Sequence, residues 1–233
     1  MRSVGTIVLA AGGSTRLGQP KQFLTFRGET LVRRIVHAAS AAGCGPLVVV
    51  VGELRDRIAT ELEDTAAEMV ENNEWQRGLG SSIKRGLEHL MRTQPNVESV
   101  IVLVCDQPCV DRAVIRALID ERERSGKPIV ASSYERPRPP SVMSTEVETS
   151  LKEDAERDSS TSVGMTGTAG MTKGGVPALF HRDCFNALLS LPDDSGAKRL
   201  IDADPTRVAW IAFPEGAFDI DTPADVERLR SND

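Results

Sequence analysis

The chain has no excess of positive charge. Its 28 Lys and Arg are outnumbered by 34 Asp and Glu, for a formal net charge of -6. That balance argues against a protein whose main partner is a nucleic-acid backbone or an anionic membrane. Any polyanion it binds must meet a local patch of cations. Long apolar runs are absent too: the greasiest stretch, residues 46–52, is strand-length and falls well short of the ~18 residues of a spanning helix. The start of the chain carries one Arg and a short apolar run without a secretory cleavage pattern, so a cytoplasmic protein is expected. Four cysteines, Cys44, Cys105, Cys109 and Cys184, are too few and too scattered for a disulfide framework and read as reduced small hydrophobes.

What is present is the composition of an ordinary globular chain, 40% apolar and 27% charged. Its 233 residues suffice for one large domain at about 150 residues per domain. Short Val/Ile/Leu-rich runs recur at 4–10, 47–51, 69–70, 100–105, 129–131, 177–180 and 208–213, with helical spacing between most of them. That alternation predicts an α/β fold, a Rossmann-like three-layer domain with a mostly parallel mixed sheet wrapped by helices. The clearest helix starts at a Thr30 cap, puts Leu31, Ile35, Ala38, Ala39 and Ala42 on one stripe, and stops at Gly43. Others are expected from Ser81, from Asp111 to about Gly126, and from Thr222 with Pro223 at the first helical position.

One region breaks the rhythm. Of the 41 residues 135–175, Ser, Thr, Gly and Pro make up 20, and none is aromatic. Such a segment buries little, so it reads as a flexible surface insertion in a single domain spanning 1–233.

The strongest chemical signal is Leu9-Ala-Ala-Gly-Gly-Ser-Thr-Arg-Leu-Gly-Gln-Pro-Lys21, a glycine-rich loop directly after the first strand. In an open α/β sheet that position faces the ligand. Small residues from Ala10 to Ser14 let backbone N–H groups approach an anion, and Arg16 and Lys21 add two cations, so a polyphosphate is the natural guest. The loop lacks the Gly-Lys-Ser/Thr of a P-loop and the Gly-x-Gly-x-x-Gly of dinucleotide folds. Asp106 ends the apolar strand 100–105, and Asp219 and Asp221, expected on one side of a further strand, lie before a Thr222 cap. Asp106 and Asp221, meeting at a phosphate loop, would hold a Mg²⁺ that takes its other ligands from phosphate oxygens and water. Asp219 and Asp225 read more readily as turn and cap residues. Asn73-Glu-Trp-Gln-Arg-Gly-Leu-Gly-Ser-Ser82 precedes a helix and reads either as a base or ribose contact or as a plain glycine turn with a Ser cap. Cys105, Cys109, His181 and Cys184 match no common zinc spacing.

Taken together, the first loop, Gly78-Leu-Gly-Ser-Ser82, Cys105-Asp-Gln-Pro108, Gly175-Val-Pro-Ala-Leu-Phe180 and Asp219-Ile-Asp-Thr-Pro-Ala-Asp225 resemble the molybdenum cofactor cytidylyltransferases and the wider MobA-like nucleotidyltransferases. The order is the same across almost the whole chain. The resemblance implies that Leu9, Ala10, Ala11, Gly12, Gly13 and Ser14 hold a triphosphate, with Arg16 and Lys21 as catalytic cations on its charges. It implies that Gly80, Ser81 and Ser82 contact the base and that Asp106 and Asp221 bind Mg²⁺. Ala11 stands where guanylyl-transferring relatives usually have Gly, which leans the base toward cytosine. The implied reaction passes CMP from CTP to a molybdopterin-type acceptor and releases pyrophosphate, with a molybdoenzyme or its chaperone as a protein partner.

Two stretches depart from the family pattern. Ser132-Ser-Tyr134 is separated from Gly167-Thr-Ala-Gly170 by the insertion, and the usual Gly-Asp-x-Gly-Ala turn reads Asp193-Asp-Ser-Gly-Ala197. Rival expectations are a sugar-phosphate or polyol-phosphate nucleotidyltransferase, since Pro20-Lys-Gln-Phe-Leu24 is similar to a string in the methylerythritol-phosphate cytidylyltransferases, and a non-catalytic nucleotide or cofactor chaperone.

Overall fold

The structure, a computed structural model, describes residues 3–13, 17–135 and 174–232. The expected insertion therefore lies outside the described residues except at its ends, as do Ser14 and Arg16 of the glycine-rich loop.

In chain order the strands are β1 (Val4–Leu9), β2 (Thr25–Phe26), β3 (Glu29–Thr30), β4 (Leu47–Val51), β5 (Glu68–Glu71), β6 (Ser99–Val104), β7 (Ile129–Ser133), β8 (Gly174–His181) and β9 (Val208–Ala212). Seven of them build one sheet in the order β5-β4-β1-β6-β8-β7-β9, and β2 and β3 pair separately as a small hairpin that periodicity did not foreshadow. β5, β4, β1 and β6 run parallel, in a register that sets Ile7 between Val48 and Val102. β8 runs antiparallel between β6 and β7, and β9 is parallel to β7. All five residues of β4 are buried. A strand covered on both faces must be apolar throughout, which is why this one reads as an unbroken run of Leu and Val.

Alternate side chains of each strand then serve opposite layers. Val49, Val51, Ile101 and Leu103 pack on one side with α1 (Leu31–Ala41) and α4 (Arg112–Ser125) through Val32, Ile35, Ile115 and Leu118. Val48, Val50, Val100 and Val102 pack on the other with α3 (Leu79–Thr93) through Ile83, Leu87 and Leu90. Leu87 and Leu90 have no exposed surface, so truncating either to Ala would cost about 2–5 kcal/mol. α4 begins at Asp111, whose carboxylate accepts from the Val114 N–H, and ends at the left-handed Gly126, as its sequence predicts. The C-terminal helix Pro223–Ser231 closes a third cluster through Val226 and Leu229 against Leu24, Phe26, Phe218 and Ile220. No helix among the described residues is long and apolar enough to cross a membrane.

Three expectations need correction. α3 starts at Leu79 rather than Ser81, because Gly80 and Ser81 donate backbone N–H groups to the Asp193 carbonyl and the turn is held by that loop. Asp219 and Asp221 lie in no strand; the segment follows β6 outward with Ile220 donating to the Asp106 carbonyl at 3.0 Å. Finally, Gly174 and Gly175, assigned to the flexible segment, are strand residues of β8, pairing Ser133 and Ser132.

Candidate functional site

Because β5, β4, β1 and β6 are parallel, their carboxyl ends share one edge, the usual ligand edge of an open α/β sheet. Asn72, Gly52, residues 10–13 and Asp106 follow these four strands in that spatial order. The glycine-rich loop therefore sits between an amide-and-glycine flank on the β4 side and a carboxylate flank on the β6 side.

On the β6 side, Lys21 lies in the single turn Lys21–Phe23. Gln22, buried to 2% exposure, fastens that turn to the loop by donating to the carbonyls of Ala10 at 2.9 Å and Gly12 at 2.7 Å. The Lys21 ammonium is thereby aimed at two carboxylates, Asp106 Oδ2 at 2.5 Å and Asp221 Oδ1 at 3.2 Å. Burial alone would lower the Lys21 pKa, but Asp106 and then Asp221 outweigh it and hold it above the ordinary value. Asp219 stands beside them with its pKa pushed up to about 6, first by burial and then by the negative charge of Asp106. Gln107 anchors the neighbouring chain, donating to the Gly216 carbonyl at 3.0 Å, the Val176 carbonyl at 3.1 Å and the Tyr134 hydroxyl at 3.1 Å. Sequence patterning gave Gln22 and Gln107 no role, since a buried amide leaves no periodic trace. Beyond Gln107 a cavity of about 460 Å³ opens between Cys109, Tyr134, Glu215, Phe218 and Arg228.

On the β4 side the expected base contacts are packed tightly. Gly80, Ser81 and Ser82 form the first turn of α3 and are buried. The buried Asn72 donates to both serine hydroxyls at 3.0 Å, and Ser81 Oγ in turn donates to the Gly78 carbonyl at 2.8 Å. A Cβ on Gly80 would stand 2.2 Å from the Pro192 carbonyl oxygen, and one on Gly78, at φ +123, would stand 2.5 Å from that of Asp193. Only glycine fits there. The Asp193 carboxylate pairs with both Arg77 and Lys84 and is held below its ordinary pKa, chiefly by the Lys84 hydrogen bond.

The structure thus brings Lys21, Asp106 and Asp221 together, and sets Leu9, Ala10 and Ala11 buried at the end of β1, with Gly12 and Gly13 exposed. Ser14 and Arg16 fall outside the described residues. Asp225 is a cap: its carboxylate accepts from the Thr222 N–H at 2.8 Å in a full capping box. Cys105, Cys109, His181 and Cys184 do not come together to hold a zinc ion. His181 pairs Ser99 at the start of β6 while Cys105 follows its end, about 20 Å away along the strand.

A divalent cation fits the acidic flank. Two carboxylates separated by more than a hundred positions in the chain converge on one positive charge, the Lys21 ammonium, and oxygen ligands of that kind suit Mg²⁺ or Mn²⁺. Among the described residues no group of three His, Cys, Asp or Glu is placed to hold a metal, so the remaining ligands would come from substrate or water.

The chain is 30% identical over 134 residues to the nicotine blue oxidoreductase of Paenarthrobacter nicotinovorans, a match covering 57% of this chain and 64% of that one. It is also 30% identical over 141 residues to the bifunctional protein GlmU of Streptomyces coelicolor, covering 59% and 29%. A probable molybdenum cofactor guanylyltransferase of Bacillus cytotoxicus matches at 30% over 135 residues, 56% of this chain and 64% of that protein. The chain thus spans less than two thirds of each of these relatives. Among solved structures, the Rv0371c homologue from Mycobacterium sp. strain JC1 superposes with a TM-score of 0.70 at 26% identity, covering 100% of this chain and 98% of that one. The model of the MobA-like NTP transferase domain matches residues 6–208, and the chain belongs to that family.

Proposed function

We propose that the chain is a divalent-metal-dependent nucleotidyltransferase that transfers CMP from CTP to a phosphorylated, molybdopterin-type acceptor and releases pyrophosphate. The observation that carries this reading is the convergence of Asp106, Asp221 and Lys21 beside the glycine-rich loop. Support for the acceptor comes from the motifs quoted above and from the relative named as a molybdenum cofactor guanylyltransferase. Support for a metal comes from the paired carboxylates; Rv0371c of Mycobacterium tuberculosis, 23% identical, has been solved as a complex with manganese. The same reading treats residues 1–233 as one cytoplasmic catalytic domain.

Bound between Asp106 and Asp221, the cation would supply positive charge to the phosphate oxygens. The chain's own groups do the rest. The backbone of residues 9–14 cradles the triphosphate, Arg16 neutralises the departing pyrophosphate, and Lys21 steadies the α-phosphoryl oxygens. Gly80, Ser81 and Ser82 border the base. An acceptor phosphate oxygen attacks the α-phosphorus in line; the bond to it forms as the bond to the pyrophosphate oxygen breaks. The nucleophile is already an anion, so no general base is required. The acceptor approaches from the side of the Tyr134 and Phe218 cavity, which adjoins the carboxylates through Gln107.

A pyrophosphate-release screen of CTP, GTP, ATP and UTP against molybdopterin and sugar-phosphate acceptors tests this. Turnover with CTP and molybdopterin is the expected result. Turnover only with a sugar or polyol phosphate replaces the acceptor, and nucleotide binding without any pyrophosphate release replaces the enzyme with a cofactor-binding protein.

A further inference from the structure

Trp75 occupies a position that core packing does not demand. It opens the short turn Trp75–Arg77 ahead of α3 and remains partly exposed at the ligand edge. Its indole nevertheless lies flush against two glycine backbones. A Cβ on Gly13 would stand 2.7 Å from the indole Cη2, and one on Gly52 would stand 2.7 Å from its Cδ1 and 2.9 Å from the Ala11 carbonyl oxygen. Gly13 belongs to the loop after β1, and Gly52 follows β4. The ring therefore spans the carboxyl ends of two neighbouring strands, and any side chain at either glycine would dislodge it.

Its place relative to the charged groups is fixed by the sheet order β4-β1-β6. Lys21 and Asp106 stand on the β6 side of the glycine-rich loop, Trp75 on the β4 side, about 10 Å apart at the usual strand spacing. Polyphosphate held by the cations on one side leaves the rest of a nucleotide to run toward the other. There it meets a planar, partly exposed aromatic side chain beside the buried Ser81 and Ser82.

We propose that Trp75 is the stacking face for the nucleobase, a binding residue whose pose is set by Gly13 and Gly52; the inference rests on the nucleotidyl-transfer reading. Aromatic faces accept any base, so Trp75 contributes affinity rather than the choice of base. The only other Trp, Trp210, lies in β9 at the far end of the sheet, which makes the two separable by fluorescence.

The test uses the full chain with Trp210→Phe, leaving Trp75 as the sole indole. Titration with CTP and Mg²⁺ should quench its emission, whereas tripolyphosphate, which has no base, should bind without quenching. Calorimetry on Trp75→Ala in the otherwise native chain should show CTP bound roughly ten- to a hundredfold more weakly, tripolyphosphate within about twofold, and Trp75→Phe close to native. Calorimetric CTP binding with unchanged Trp75 emission overturns the inference and leaves the nucleotide reading standing. So does an equal loss of CTP and tripolyphosphate affinity in Trp75→Ala, which would make the indole a prop for the loop. Failure of all four nucleoside triphosphates to bind the native chain overturns both.

Discussion

The two flanks of the ligand edge are built by different physics. On the β4 side, position is set by hard contacts: Gly78 and Gly80 admit no side chain against the backbone of residues 192–195, and Asn72 is tied to Ser81 and Ser82 within the buried interior. On the β6 side, position is set by charge. Lys21 and Asp106 keep 18% and 21% of their side-chain surface exposed, Asp221 keeps 53%, and attraction across distant parts of the chain is what gathers them. Steric order resists substitution through stability, whereas electrostatic order leaves groups free to exchange partners. The charged flank is accordingly the place for chemistry and the packed flank the place for a rigid wall.

The sharpest way to break this contrast is Asp106→Ala. If the charged flank carries the reaction, turnover in saturating Mg²⁺ should fall about a hundredfold or more, the loss expected for several kcal/mol of charge stabilisation. The melting temperature should move by no more than about 4 °C, because Lys21 keeps Asp221 as a partner and the repulsion between Asp106 and the neighbouring Asp219 is relieved. Steady-state pyrophosphate release and thermal melts on the same preparation decide it. A variant that keeps more than about a tenth of the native rate removes Asp106 from the metal site.

Gly80→Ala is the mirror experiment. The new methyl meets backbone oxygens of Pro192 and Ser195 at 2.2 and 2.8 Å, and backbone cannot turn aside as a side chain can. A loss of about 2–3 kcal/mol is expected, seen as a melting temperature lower by roughly 5–10 °C. An unchanged melt would mean that the loop after Leu191 yields freely and that the wall is not rigid.

The same division explains what the sequence could disclose. Apolar runs mark β1, β4, β6 and β7 because burial on both faces favours one class of residue. Asp111, Gly126 and Thr222 mark helix ends because caps are local chemistry. Asp106 and Asp221 stand out as acids where strand periodicity and a cap leave them at an edge. α3 starts ahead of the expected Ser81 because contacts with residues 192–195 override the poor helix propensity of Gly-Leu-Gly. The strand expected at Asp219 failed for a related reason: alternation fits an extended segment equally well whether or not a partner strand lies beside it. Gln22, Gln107 and the placement of Trp75 on two glycines depend wholly on tertiary contact, which no spacing rule reports.

A smaller effect probes the border between the two regimes. Thr222 caps the C-terminal helix, and the carboxylate of its capping-box partner Asp225 also accepts from the Asp221 N–H at 3.2 Å. Thr222→Ala should cost about 1 kcal/mol of stability, or roughly 2–4 °C. It should also weaken Mg²⁺ binding a few-fold, because the backbone of Asp221 is held by the same box. Stability lost with metal affinity intact would show that Asp221 is placed by its charge alone.

A further effect is visible only as a function of pH, and it concerns Asp219. In the fold its pKa is pushed up to about 6 by burial and by the charge of Asp106, against about 3.9 in an unfolded chain. Between those values the folded protein binds the proton that the unfolded chain has released. The stabilising contribution of protonated Asp219 is therefore fully present below about pH 4 and is lost as pH rises through about 6. Asn resembles the neutral acid and keeps an amide within reach of Gln107. In metal-free buffer, Asp219→Asn should thus melt with the native protein at pH 4 and above it at pH 8. An Asn variant that melts lower at pH 8 would mean that ionised Asp219 is held favourably by Lys21, joining it to Asp106 and Asp221 as a third member of the charged flank.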